Sequence, residues 1–167
     1  MTDSDAVADR WRARFAAASA AARNGDVLPA HNPECLGCGP DNPHGFHLQV
    51  LGDGERVRAE HVFDRRHVGG PGVAHGGAVA AVLDDLCGFV PFALGHVAVT
   101  RHLGVDYRAP VVLGAPYALT AWLVRREGRK LFVRAEGHTA AGELAFSADG
   151  LFLEVDSGHF ERATATR

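Results

Sequence analysis

A chain of 167 residues, 47% hydrophobic and 22% charged, is long enough to close one core of ordinary size. Its formal net charge of −3, with no dominant Lys/Arg run, gives no electrostatic case for nucleic acid or an anionic membrane surface. Three cysteines, an odd number, argue against a disulfide framework and for a reducing, cytoplasmic setting.

The opening residues, MTDSDAVADRWRAR, lack the apolar core of a signal peptide. Residues 5–23 carry Trp11, Phe15 and Ala18 at helical spacing and end in NGD, which predicts an accessory helix with one modest apolar stripe. Residues 28–45, LPAHNPECLGCGPDNPHG, are dense in Pro, Gly, Asn and Asp and are expected to be irregular. From residue 46 the apolar period becomes two, predicting a hairpin of strands 46–51 and 55–63 about a GDGE turn. A glycine-rich connection leads to an apolar helix over 76–94, which Pro91 is expected to kink or end. Asp84 and Asp85 interrupt that apolar run, so no bilayer span is expected. Four strand-like runs follow, over 96–108, 116–127, 130–140 and 143–155, with short turns between the last three.

A helix that is apolar nearly all round has to be enclosed. One antiparallel sheet of about six strands, curled around that single helix, satisfies every element with short connections. The expected class is α+β: a helical extension over residues 1–30, a main domain over 31–157 and a flexible tail over 158–167.

The central helix, PGVAHGGAVAAVLDD at its start, carries the chemistry. Asp84 falls in line with Gly77, Ala80, Ala81, Cys87 and Gly88, a stripe of small residues open to a close neighbour. Asp85 is turned by about 100° toward Ala81, Val82 and Phe89, so the two carboxylates cannot share a role. Gly76 and Gly77 are expected to leave backbone N–H groups free at the positive end of the helix dipole, where they can polarise a carbonyl oxygen. Asp84 lies about 12 Å further along the same axis, too far to act on that carbonyl. The geometry closes only if the carboxylate comes from a second copy of the chain, which predicts a site shared by two subunits.

These residues resemble the hot-dog fold acyl-CoA thioesterases, in particular the phenylacetyl-CoA (PaaI) type and the human-type thioesterase superfamily members. Their central helix opens with a histidine and a glycine pair, and their catalytic Asp lies nine residues after the histidine; HGGAVAAVLD matches with His75, Gly76, Gly77 and Asp84. VAVTRHLGVDYRAPVVLG is similar to their third strand, with Thr100 and Tyr107 at matching positions, and REGRKLFVRAEGHTAAGELAF to their next hairpin. The resemblance implies a thioester hydrolase without a cofactor. Asp84 would be base or nucleophile, Gly76 and Gly77 would bind the oxyanion, His75 would support the turn and Thr100 would hold the water. Asp106, Tyr107, Arg108, Arg126, Arg129 and Lys130 would contact the CoA part, and the chain would form a dimer or a dimer of dimers. One position departs from the pattern: an Asn that often orients water, six residues before the histidine, is Gly69 here. The alternative from another class is a non-catalytic acyl-CoA-binding module using the same groove.

The segment HNPECLGCGPDNPHGFH also invites a zinc site, with Cys35 and Cys38 as C-x-x-C near His31, His44 and His47. Only one cysteine pair is present and the histidine spacing is off the usual patterns. The expectation is therefore a turn-rich leader with buried thiols and no metal.

Overall fold

The computed structural model describes residues 3–156 and 158–164. The first two residues of the expected extension, and residues 157 and 165–167 near and in the expected tail, lie outside the described residues. In chain order the elements are α1 (Asp3–Asn24), β1 (Leu51–Asp53), β2 (Arg56–Val62), β3 (Val68–Gly70), β4 (Val73–Ala74), α2 (Gly76–Ala93), β5 (Ala98–Tyr107), β6 (Pro116–Glu127), β7 (Lys130–Thr139), β8 (Leu144–Glu154) and α3 (His159–Thr164). Six strands form one antiparallel sheet in the order β1-β2-β6-β7-β8-β5, and β3 pairs with β4 as a separate small hairpin.

The sheet curls around α2, whose residues pack against β2, β5, β6, β7 and β8. Val79, Val82, Leu83, Leu86, Cys87, Phe89, Val90, Pro91 and Phe92 of this helix are buried. Facing them, β2 alternates buried and exposed residues and β7 buried and half-buried ones, the period of strands with one face on the core. Phe63, Tyr117 and Phe146 form an aromatic cluster within the core, with ring centroids 5.4–6.4 Å apart. The amphipathic face of α1 closes the remaining side: Phe15 meets Phe92 edge to face at 4.7 Å, and Ala18 is fully buried.

Several expectations are corrected. Residues 46–50 make no ladder; β1 is only three residues long, because this stretch is tied to the loop below it by Phe46 N–H to Leu36 O and Leu48 N–H to Gly37 O. Pro91 does not end the helix, which runs to Ala93. It falls so close to the C-terminus that its missing N–H matters little, and Gly95, at φ 82°, makes the left-handed turn that follows. By length and composition α2 is also apolar enough to cross a membrane, contrary to expectation, although half of it is buried inside the sheet. Residues 159–164 of the expected flexible tail are helical, and Phe160 stacks on Trp11 at 5.3 Å.

Candidate functional site

The helix start is built by its own side chains. His75 is the N-cap, with extended backbone, and its Nδ1 accepts from Gly77 N–H at 2.9 Å. Its neutral ring then carries its proton on Nε2. One of the two donors expected to be free is therefore engaged, and Gly76, at the first helical position, is the one with no intrahelical acceptor. Tyr107 Oη donates to the Gly76 carbonyl at 2.5 Å. A side chain at Gly76 would meet that phenol oxygen at 3.2 Å, so the missing Cβ gives the tyrosine room to lie over the turn. A surface cavity of about 370 Å³ here is lined by Gly76, Tyr107, Arg108, Val73, Val79 and Pro110 among others.

Asp84 belongs to a different cavity. Thr100 Oγ1 donates to Asp84 Oδ1 at 2.9 Å, joining edge strand β5 to α2. Burial pushes the Asp84 carboxyl up from its usual range, and the Thr100 bond opposes that shift. Thr100 sits at a β-bulge: Thr100 pairs with Phe152 but His102 with Leu151, leaving Arg101 as an extra residue. The cavity, about 330 Å³, is lined by Asp84, Thr100, Gly88, His96, Phe152 and Trp11 among others. Gly76 and Asp84 thus open onto separate cavities of one chain, as the helix rise requires.

Gly69 has a structural cause. A Cβ there would lie 2.6 Å from the Cα of His75 and 2.9 Å from its backbone nitrogen, so the departure from the family pattern lets β3 press against the helix start. The stripe around Asp84 is less open than expected: Cys87 is fully buried, and Gly88 faces His31 and Phe152. Among the basic residues, Arg126 is held by Glu154 at 2.7 Å, and His96, which lines the Asp84 cavity, meets the same carboxylate at 2.9 Å. Arg108, Arg129, Lys130 and Asp106 are exposed.

Asp85 has partners that helical spacing does not predict. It points into the 31–38 leader, its side chain only 9% exposed, with Oδ1 3.1 Å from His31 Nδ1 and 3.3 Å from Cys35 Sγ. Burial raises its carboxyl pKa against the pull of His31. Burial lowers His31, but Asp85 and Cys35 outweigh it and push the imidazole up to about 9. Hydrogen bonds from Cys38, from His31 and from backbone N–H groups hold the Cys35 thiol below its usual range. Asp85 was missed because its partners lie about 50 residues earlier and no helical periodicity links them.

With this geometry in hand, the sequence profile of the thioesterase superfamily matches residues 71–146. Rat acyl-coenzyme A thioesterase THEM4 is 37% identical over 89 residues, 53% of this chain and 38% of that protein. The chain thus spans well under half the length of this curated relative. The solved structure of another thioesterase superfamily protein superposes with a TM-score of 0.69 at 30% identity, covering 79% of this chain and 64% of that one. A hypothetical thioesterase protein from Streptococcus pneumoniae TIGR4, solved with coenzyme A, has a TM-score of 0.58 at 17% identity over 60% of this chain and 82% of its own, a likeness of fold. It was also solved as variants with alanine replacing an aspartate and a threonine sixteen positions apart.

Proposed function

We propose that this chain hydrolyses acyl-CoA thioesters to free acid and CoA, in a cytoplasmic setting, because the thioesterase superfamily profile matches residues 71–146. The observation that carries the reading is the Asp84–Thr100 pair at a cavity wall, sixteen positions apart in sequence. The same separation in the streptococcal variants, and the coenzyme A bound to that protein, support it.

A thioester is already an activated acyl donor, so three tasks suffice: polarise the carbonyl, supply a nucleophile and expel the thiolate. The Gly76 N–H, at the positive end of α2, polarises the carbonyl oxygen and gains most when that oxygen becomes an oxyanion. Asp84 then either takes a proton from a water that attacks the carbonyl carbon, or attacks it directly to give a mixed anhydride that water then hydrolyses; in both cases collapse of the oxyanion breaks the C–S bond and CoA leaves as the thiolate. Thr100 spends its hydroxyl proton on Oδ1, which fixes the carboxylate and leaves Oδ2 for the reaction. His75 holds the glycine turn through Gly77 and does not transfer protons.

Since Gly76 and Asp84 lie about 12 Å apart along one helix, the working site takes Asp84 from one protomer and the glycine turn from its partner. The β5 edge, exposed over Thr100, Arg101 and His102, offers unpaired backbone groups for joining two sheets. The exposed Arg129 and Lys130, with Arg108, are suited to the phosphates of CoA.

The test is the release of free thiol from a panel of short, long and aromatic acyl-CoAs. Turnover of at least one that is abolished in Asp84→Asn supports hydrolysis. Tight acyl-CoA binding without turnover of any member would mean a binding module.

A further inference from the structure

The turn-rich leader, expected to hold no metal, meets the central helix in a cluster of four donors: His31 Nδ1, Cys35 Sγ, Cys38 Sγ and an Asp85 carboxylate oxygen, all within 4.8 Å of one another. From this constellation we propose a structural zinc site that fastens residues 31–48 to α2 beside Asp84.

The distances have the right scale. Zinc bonds of ~2.0–2.3 Å put the corners of a tetrahedron about 3.3–3.8 Å apart. The structure has His31 Nδ1 to Asp85 Oδ1 at 3.1 Å and Cys35 Sγ to Asp85 Oδ1 at 3.3 Å. Cys38 Sγ lies 3.4 Å from His31 Nδ1 and 3.7 Å from Asp85 Oδ1. Side chains from three parts of the chain are therefore already at the separations of a closed four-coordinate ion.

The surrounding backbone is shaped for the same purpose. His31 N–H points at Cys38 Sγ at 3.2 Å, a donor that favours thiolate. Gly39 N–H bonds to Cys35 O at 2.9 Å, winding the C-x-G-C-G loop into a knuckle. A Cβ on Gly37 would lie 2.1 Å from Asp85 Cγ, and one on Gly39 2.3 Å from Cys35 N, so both glycines are needed for the loop to close on the carboxylate.

The buried carboxylate points the same way. Asp85 Oδ2 is buried with no hydrogen-bond partner among the described residues. A buried carboxylate oxygen left without a partner lacks a donor or a cation of its own. A divalent cation meets that need, and two thiolates with one imidazole select zinc over magnesium or calcium. With four protein ligands the ion has no open position, so it is structural. The inference stands apart from the proposed hydrolysis and can hold or fail without it.

The test is elemental analysis of the full-length protein, purified without a histidine tag under reducing conditions and reconstituted with zinc chloride. The expected result is about one zinc per chain. Cobalt-loaded protein should show a thiolate-to-cobalt charge-transfer band and the visible bands of a tetrahedral site. Cys35→Ser with Cys38→Ser should abolish both, whereas His44→Ala with His47→Ala should leave them intact. If the double serine variant does not fold, alkylation of the parent protein decides: Cys35 and Cys38 should be protected until a chelator is added. Three results would overturn the proposal: less than about a tenth of a zinc per chain after reconstitution, a Cys35–Cys38 disulfide under reducing purification, or undiminished zinc in a folded double serine variant.

Discussion

Thr100 Oγ1 lies 2.9 Å from Asp84 Oδ1, bridging the sheet edge and the central helix where both border a cavity. A hydrogen bond to a charged group is worth about 1.5–3 kcal/mol, which at ~1.4 kcal/mol per decade is roughly 10–100-fold in rate. Thr100→Ala should lower kcat by that range, and Thr100→Ser should recover most of it. Asp84→Asn removes the anion itself and should lower kcat by roughly 10²–10⁴ or more. Single-turnover assays on both variants, with acyl-CoA binding followed by calorimetry, check the pair.

The shared site can be tested by mixing two dead proteins. Pro is well tolerated at the first helical position; here it deletes an N–H that has no intrahelical acceptor and adds a Cβ 3.2 Å from the Tyr107 phenol oxygen, a contact that the exposed tyrosine can relieve by a small shift. His75, with φ −65° and ψ 133°, already has the extended backbone that a following Pro requires. Gly76→Pro and Asp84→Asn should each be inactive alone, while co-expressed chains should regain activity, because a mixed dimer has one intact site. No recovery in purified heterodimers would place the whole site within one chain.

Arg129 and Lys130 are exposed at the β6–β7 turn. Replacing both by Ala should raise KM for acyl-CoA more than it lowers kcat, since phosphate contacts far from the carbonyl bind ground and transition states alike. The effect should disappear with a pantetheine thioester. Equal losses on both substrates would remove these residues from CoA binding.

His61 makes stability depend on pH. It is 8% exposed among Phe46, Phe63 and His67, its Nε2 has no hydrogen-bond partner among the described residues, and burial, with His67 next, lowers its pKa to about 4. In the unfolded chain it takes a proton near pH 6.5. Its contribution to stability is therefore complete above pH 6.5 and is lost as pH falls toward 4, by about 2–3 kcal/mol in all. Urea denaturation across pH 4–7.5 should show this slope, and His61→Leu should flatten it.

Much of the fold was legible because α2 is apolar nearly all round and the strands after it alternate, a pattern that a curled sheet around one helix satisfies. The placement of Asp84 at a cavity wall was partly legible too, since a carboxylate on a buried helix stands out in a sequence. The pairing of Asp85 with the leader was not. It depends on Gly37 and Gly39 winding a loop tightly enough to reach a helix residue about 50 positions away, and local spacing carries no record of such a contact. The reason for Gly69 was also hidden, because a residue can be small on account of its neighbour's backbone as easily as for want of a catalytic role. The shortness of β1 has a similar origin: FHLQVL alternates like a strand, but its backbone is spent on the leader instead of on a ladder.

The bulge in β5 separates two things that a sequence position usually supplies together, its side chain and its place in the count. Thr100 stands opposite Phe152 and His102 opposite Leu151, so removing Arg101 would leave both pairings intact and simply straighten the strand. The ladder has no need of that residue. What needs it is the direction in which Thr100 leaves the strand, which the local bend and twist set. Position 101 is therefore indifferent to the identity of its exposed side chain but intolerant of its absence. The reach of Thr100 toward Asp84 is stored as a number of peptide units, and a scan of substitutions at Arg101 would pass over it.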